Sequence, residues 1–255
     1  MAAELWPNDD LTRLANHYRS DKGTETYCAH GYTRIYQALL EPFRHCPLRI
    51  AEIGLLHGRS QAEGADAIAH LGCPSLRMWA DYLPNSSIHG FDIVDFSRFA
   101  SERVRIACGD QGNRRELSRL VDLAEGAFDL IIDDGSHASH HQQITLGALF
   151  PALADGGLYI IEDLHFQPAE LEMNGVTKTR EFLAGLSRRG SGHRLALEQV
   201  EYNYLVTHID SIRFFDSISP RWPITETADA FAVIRKRGLH PSFDGGGSVQ
   251  AGSGS

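Results

Sequence analysis

Four short stretches carry most of the residues whose types and spacing could do chemistry. They are Ala51-Glu52-Ile53-Gly54-Leu55-Leu56-His57-Gly58-Arg59-Ser60, Gly90-Phe91-Asp92, Asp133-Asp134-Gly135-Ser136-His137 and Glu162-Asp163-Leu164-His165. Each follows an apolar, strand-like run. In an open α/β sheet the carboxyl ends of such strands meet in one crevice, where ligands bind. The first two stretches suit an adenosine-containing cofactor, and the last two suit a hard cation with a base beside it. In combination they point to metal-assisted methyl transfer.

Gly54 and Gly58 bracket the turn from the first strand to the first helix, with Ser60 just beyond. Glycine lets a backbone take positive φ and approach a ligand closely. A dinucleotide site wants G-x-G-x-x-G, so that pyrophosphate meets a helix N-terminus. Here Glu52 stands beside the glycines, where it would repel pyrophosphate but suit the cationic amino-acid end of S-adenosylmethionine. Asp92 ends the second strand and is placed for ribose hydroxyls. Cys108-Gly109-Asp110-Gln111 follows the third strand and would approach adenine. The plainer alternative is a pair of ordinary turn glycines, because such motifs also occur without a ligand.

Crowded carboxylates repel one another unless a cation or proton intervenes. All-oxygen ligand sets select Mg²⁺ or a similar hard ion. Asp134, Glu162 and Asp163 are the expected metal ligands. Asp133 alternates to the other face of its strand, either to hold a backbone turn or to face the cofactor. His137, three residues past Asp134, is the expected general base; a neutral imidazole near a metal-bound hydroxyl fits that task. Its bland alternatives are a helix cap or a support for the ligands. Of His140 and His141, one is expected to face the substrate and the other the surface, and His165 is expected to support the ligands. Asp134 with two histidines would instead suit Fe(II), a reading that the Glu162-Asp163 pair disfavours.

These residues need a scaffold, and the chain supplies its pattern. Strands are predicted at Leu48 to Gly54, Ser87 to Ile93, Val104 to Ala107, Phe128 to Asp133 and Leu158 to Glu162. Helical patterns at Ser60 to Leu71, Arg114 to Leu123 and Gln142 to Leu153 separate them. Such alternation reads as a doubly wound, mostly parallel α/β sheet. Ile212 to Asp216 and Phe231 to Arg235 read as two more strands with a loop between them containing Pro220, Trp222 and Pro223. An antiparallel strand at that end is the usual finish of a Rossmann-like class I methyltransferase sheet. Residues 1–47 are expected to form a helical and lid segment, 48–240 the cofactor-binding domain and 241–255, rich in glycine and serine, a disordered tail.

The chain has 255 residues, is 42% apolar and carries a formal charge of -9. One large α/β domain fits that length. The acidic balance argues against a nucleic-acid partner, which wants a basic face. Four scattered cysteines lack the spacing of a disulfide framework or zinc site and fit a reducing cytoplasm. Met1 to Asp10 lacks the apolar core of a signal peptide. No apolar run reaches the roughly 20 residues that span a bilayer.

Residues 17–165, including Ser20-Asp21-Lys22-Gly23-Thr24 and the four stretches above, resemble the metal-dependent sugar O-methyltransferases of actinobacterial natural-product pathways, of the mycinamicin and tylosin type. The resemblance implies Mg²⁺ on Asp134, Glu162 and Asp163, His137 as base, and a Ser20 to Thr24 segment that helps cover the cofactor site. It implies a carbohydrate acceptor whose hydroxyl attacks the methyl group in line. The macrolide enzymes carry an extra N-terminal domain, so their acceptor and assembly do not transfer. A simpler glycoside is the expected acceptor, such as a rhamnosyl group or a methylated oligosaccharide, and a homo-oligomer is compatible with the chain. The rivals are a hydroxylase on the same frame, since cephalosporin hydroxylase-like proteins share it, a catechol-type O-methyltransferase, and a non-catalytic nucleoside-binding protein.

Overall fold

The computed structural model describes residues 9–26, 29–55, 72–186, 194–216 and 230–238. In these the apolar runs form seven strands: β1 (Arg49–Ile53), β2 (Ser87–Asp92), β3 (Val104–Cys108), β4 (Phe128–Asp133), β5 (Leu153–Ile161), β6 (Ile209–Asp216) and β7 (Ala230–Lys236). They make one sheet in the order β3-β2-β1-β4-β5-β7-β6. Pairing is parallel from β3 to β5, and β7 lies antiparallel to both β5 and β6. The predicted doubly wound sheet with an antiparallel last strand is therefore present.

The described helices are α1 (Asp10–Tyr18), α2 (Thr33–Leu40), α3 (Pro74–Tyr82), α4 (Arg114–Ala124), α5 (Ser139–Leu149), α6 (Thr179–Leu186) and α7 (Gln199–His208). Side chains of a strand alternate between its faces, and this splits the core in two. Ile50, Ile88, Leu130, Ile132, Leu158 and Ile160 pack with Leu11, Tyr36 and Trp79 on one face. Ala51, Ile53, Ile131, Tyr159 and Ile161 pack with Leu117, Leu146, Phe182 and Leu205 on the other. Both faces of β1, β4 and β5 are covered, as parallel strands require. No described helix is long and apolar enough to cross a membrane.

Three predicted elements move by three residues or more, β6 among them, which begins at Ile209 rather than Ile212. β5 begins at Leu153, five residues before the expected start, and α5 accordingly runs from Ser139 to Leu149 instead of Gln142 to Leu153. The cause is a register shift against β4. Phe128 pairs with Leu153, but Leu130 pairs with Leu158. Gly156, at φ 76°, carries the extra residues. The predicted helix at Ser60 to Leu71, the loop with Trp222 and the tail 241–255 lie outside the described residues.

Candidate active site

The register of the central strands gathers the acids. Ile53 pairs with Asp133, and Asp133 with Ile161. The ladder continues past the strand ends, since the Asp134 amide donates to Ile53 O at 2.9 Å and the Glu162 amide to Asp133 O at 3.0 Å. Asp134 and Glu162 therefore sit side by side with Asp163 next along the chain, and Glu52, paired with Ile132, lies two residues back on β1. Glu52 and Glu162 are buried.

The N-terminal segment supplies their partners. Lys22, fully buried, points its Nζ at Asp134 Oδ2 (2.5 Å), Glu162 Oε2 (2.9 Å) and Glu52 Oε1 (3.3 Å). Tyr36 OH donates to Glu162 Oε1, and Tyr32 OH donates to Asp163 Oδ1 at 2.6 Å. His30 Nδ1 is 3.7 Å from the same Asp163 oxygen. Trp79 Nε1 donates to Glu52 Oε2 at 3.2 Å. None of Lys22, His30, Tyr32 and Tyr36 was a predicted site residue. The resemblance gives Ser20 to Thr24 only as a cover for the cofactor site, and nothing local ties its lysine to Asp134 and Glu162, more than 100 positions away.

Burial disfavours the Lys22 charge, but Asp134, Glu162 and Glu52 outweigh it and hold its pKa well above the lysine range. The acids respond unequally. Burial pushes Glu52 up to about 7 against the pull of Lys22. Asp134 is raised by burial and by Glu162, with Lys22 opposing. Glu162 is also raised, chiefly by burial. For Asp163 burial acts upward, but His30, His137 and the Tyr32 hydroxyl prevail and its carboxyl stays below the usual range.

Asp134, His137 and Asp163 each present a ligand atom, all within 4.8 Å of one another. His137 Nε2 is 3.7 Å from Asp163 Oδ2. Its Nδ1 is buried with no hydrogen-bond partner among the described residues. His137 and Asp163 both hold left-handed backbone, at φ 61° and 52°, a strained choice for residues other than glycine. Burial lowers the His137 pKa, so its imidazole is neutral at neutral pH. Two carboxylates and an imidazole, beside two more carboxylates that share one lysine, fit a divalent cation. Glu162 stands outside this trio, with both oxygens accepting from Lys22 and Tyr36.

The cofactor-side residues divide. Asp92 Oδ2 accepts from the Leu55 amide and Oδ1 from the Val94 amide, each at 2.8 Å. The Ile93 amide also acts on this carboxylate, and its two oxygens together still have room for a further donor. Gly54 has φ 85°, and a Cβ there would lie 1.9 Å from Asp134 O. The glycine is thus demanded by the neighbouring β4 turn as well as by its own. Asp110 is exposed, and its Oδ1 accepts from the Gly112 amide at 2.7 Å. Gln111 is turned inward: Nε2 donates to Asp133 Oδ1 (3.3 Å) and Thr145 Oγ1 (3.2 Å), and Oε1 accepts from the Ser136 amide (2.6 Å). Asp133 also accepts from the Gly135 amide at 3.4 Å. Burial pushes its carboxyl up to about 7. Gln111 and Asp133 therefore brace the turn that presents Asp134 and His137. Gly58 and Ser60 lie outside the described residues.

Of the other histidines singled out in the sequence, His140, His141 and His165, none belongs to the trio. His140 is buried, with its ring centroid 4.0 Å from that of His141. His141 Nδ1 is 2.7 Å from Ser136 Oγ. His165 Nδ1 accepts from the Ala230 amide at 3.1 Å and secures the start of β7.

No protein-family model matches the chain. It is 36% identical over 155 residues to the 8-demethyl-8-(2-methoxy-alpha-L-rhamnosyl)-tetracenomycin-C 3'-O-methyltransferase of Streptomyces olivaceus, a match covering 61% of this chain and 37% of that protein. It is 36% identical over 155 residues to mycinamicin VI 2''-O-methyltransferase of Micromonospora griseorubida, covering 61% and 36%. To L-olivosyl-oleandolide 3-O-methyltransferase of Streptomyces antibioticus it is 39% identical over 153 residues, covering 60% and 36%. The aligned part thus spans little more than a third of these curated relatives. Among solved structures, the MycE methyltransferase of the mycinamycin biosynthetic pathway, in complex with Mg, SAH and mycinamycin VI, superposes with a TM-score of 0.66 at 25% identity, covering 93% of this chain and 56% of that one. Sheet order, strand pairing and this superposition agree that the chain has the class I methyltransferase fold, and its sequence is similar to the sugar O-methyltransferases of actinobacterial macrolide and tetracenomycin pathways.

Proposed function

We propose that the chain is an S-adenosylmethionine- and Mg²⁺-dependent O-methyltransferase acting on a sugar hydroxyl of a small glycosylated acceptor. One observation carries this reading: the Asp134, His137 and Asp163 trio stands at the ends of β4 and β5 in a methyltransferase sheet. The names of the sugar O-methyltransferase relatives, and the Mg and SAH in the MycE complexes, support it.

Asp134 and Asp163 would hold the cation, with Glu162 joining if Lys22 yields it. A bound Mg²⁺ supplies Lewis acidity that orients an acceptor hydroxyl and makes it more acidic. His137 takes the hydroxyl proton on Nε2, since burial keeps its ring neutral. Asp163, 3.7 Å away, stabilises the imidazolium that results. Glu52, Gly54, Gly58, Ser60, Asp92 and Asp110 form the proposed cofactor side, with Asp92 accepting from ribose hydroxyls. Gln111 and Asp133 serve it from beneath as braces of the β4 turn. The 48–240 stretch would form the catalytic domain, with 1–47 as its N-terminal segment.

Transfer of a labelled methyl group to a glycoside panel, with and without divalent cation, tests this. Methylated sugar in Mg²⁺ and none in excess chelator is the expected result. Full activity in chelator removes the metal from the reaction. Methylation of catechols alone would favour the catechol-type reading, and oxygen consumption with Fe(II) the hydroxylase.

A further inference from the structure

The same acids face a difficulty that is independent of catalysis. Four carboxylates, Glu52, Asp134, Glu162 and Asp163, converge at the ends of three strands. Buried like charges without compensation are costly. Lys22 touches three of the four and is itself wholly enclosed. Asp163, the fourth, is served separately by Tyr32, His30 and His137.

The segment carrying Lys22 is built to hold it there. The Ser20 amide donates to Ala15 O at the end of α1 (2.8 Å), and the Thr24 amide to Asn16 Oδ1 (2.8 Å). The Thr33 amide at the start of α2 donates to Lys22 O (3.1 Å), and the Gly31 amide to Gly23 O (2.8 Å). A Cβ on Gly23 would lie 2.3 Å from Asn16 Oδ1, so the chain passes too close to α1 for a side chain. The same α2 carries Tyr36 to Glu162. Cation and phenol thus arrive on segments that are hydrogen-bonded to each other.

We propose that Lys22 is a resident counter-ion of the acidic centre, making the folded state independent of divalent metal and leaving the Asp134 and Asp163 side, next to His137, open to receive one. The proposal rests on the metal part of the functional reading, but it concerns folding and not transfer. Without Lys22, the three acids it serves would share any divalent cation that binds at Asp134, and folding would become linked to metal concentration.

Thermal unfolding at pH 8 tests this in wild type and Lys22→Met, each in excess chelator and in millimolar Mg²⁺. Wild type should fold and melt cooperatively in chelator, with Mg²⁺ adding only the upward shift that native-state binding brings and a smaller one than in the variant. Lys22→Met should melt roughly 5–15 °C lower in chelator, given the cost of breaking a buried ion pair and the size of the domain. Mg²⁺ should restore at least half of that loss. If Lys22→Met does not fold, the double variant Lys22→Met/Glu52→Gln removes one unpaired acid, and its refolding yield should rise with Mg²⁺. A Lys22 variant indifferent to Mg²⁺, or a wild type that needs Mg²⁺ to fold, overturns the proposal. Calorimetric titration of wild type with Mg²⁺ separates the two readings. Binding there with an indifferent variant defeats the Lys22 role alone, and no binding at all defeats both. Neither readout depends on methyl transfer.

Discussion

His137 and Asp163 face each other across the ends of β4 and β5, 3.7 Å apart, and both hold left-handed backbone. Two strained non-glycine residues in contact point to a site whose geometry is imposed by its surroundings. His137→Ala should lower turnover by roughly 10²- to 10⁴-fold, the usual contribution of a positioned base. Cofactor affinity should barely change. A fall of less than about tenfold would reduce His137 to a positioning or ligand role on that same scale. Single-turnover kinetics beside calorimetry would decide.

The pH profile follows from the sign of the His137 shift. Only neutral imidazole accepts a proton, and burial lowers this pKa below the ordinary histidine value. The rate should rise with pH and reach its plateau at a lower pH than an exposed histidine would give. A rate still climbing well into the alkaline range would assign the base elsewhere.

Asp134→Asn and Asp163→Asn should abolish metal-stimulated transfer while S-adenosylhomocysteine still binds. The acids lie at the ends of β4 and β5, whereas Asp92 ends β2. Asparagine keeps the volume and one acceptor oxygen, which Asp134 needs beside Lys22. Calorimetry with nucleoside and with Mg²⁺, run separately, reads the two effects apart. Loss of nucleoside binding in both variants would contradict this division.

Asp92→Asn should weaken S-adenosylhomocysteine about tenfold or more, the scale of a hydrogen bond to a charged group. Asparagine keeps an acceptor oxygen for only one of the Leu55 and Val94 amides, so melting should fall as well, and the affinity is read well below the variant's melting temperature. Unchanged affinity would place the ribose elsewhere.

Asp133 makes stability depend on pH. Its folded carboxyl titrates near 7, against about 3.9 in an unfolded chain. Between those values the folded state binds more protons, so this residue's contribution to stability falls as pH rises from about 4 to 7 and then levels. Asp133→Asn should lack that decline, and its melting temperature should gain on wild type across the same window. Parallel curves for the two proteins would refute the assignment.

Much of this protein was legible from local sequence. Apolar runs ending in acids mark β2, β4 and β5, because a parallel strand buried on both faces is mostly apolar along its length and becomes polar where it leaves the sheet; β1 departs from this, with Glu52 inside the strand. The same rule placed Asp134 and Asp163 in one crevice. The antiparallel finish was legible too, since the sequence between the last two apolar runs holds Pro220, Trp222 and Pro223 and reads as a loop. Other features came only with the tertiary structure. Lys22 is a lone cation in a polar turn until α1 and α2 carry it under β1, β4 and β5. By position Gln111 is a cofactor-side residue, and only the fold shows that its amide also satisfies the Ser136 amide and the Asp133 carboxylate of the β4 turn. Gly54 is a turn glycine by sequence, whereas its neighbour Asp134 O makes it obligatory. The early start of β5 depends on a register shift that no single strand encodes. Periodicity and strand-end chemistry are local, so the chain shows them directly. Charge pairing, close backbone approach and register arise between segments far apart in sequence, and only folding brings those together.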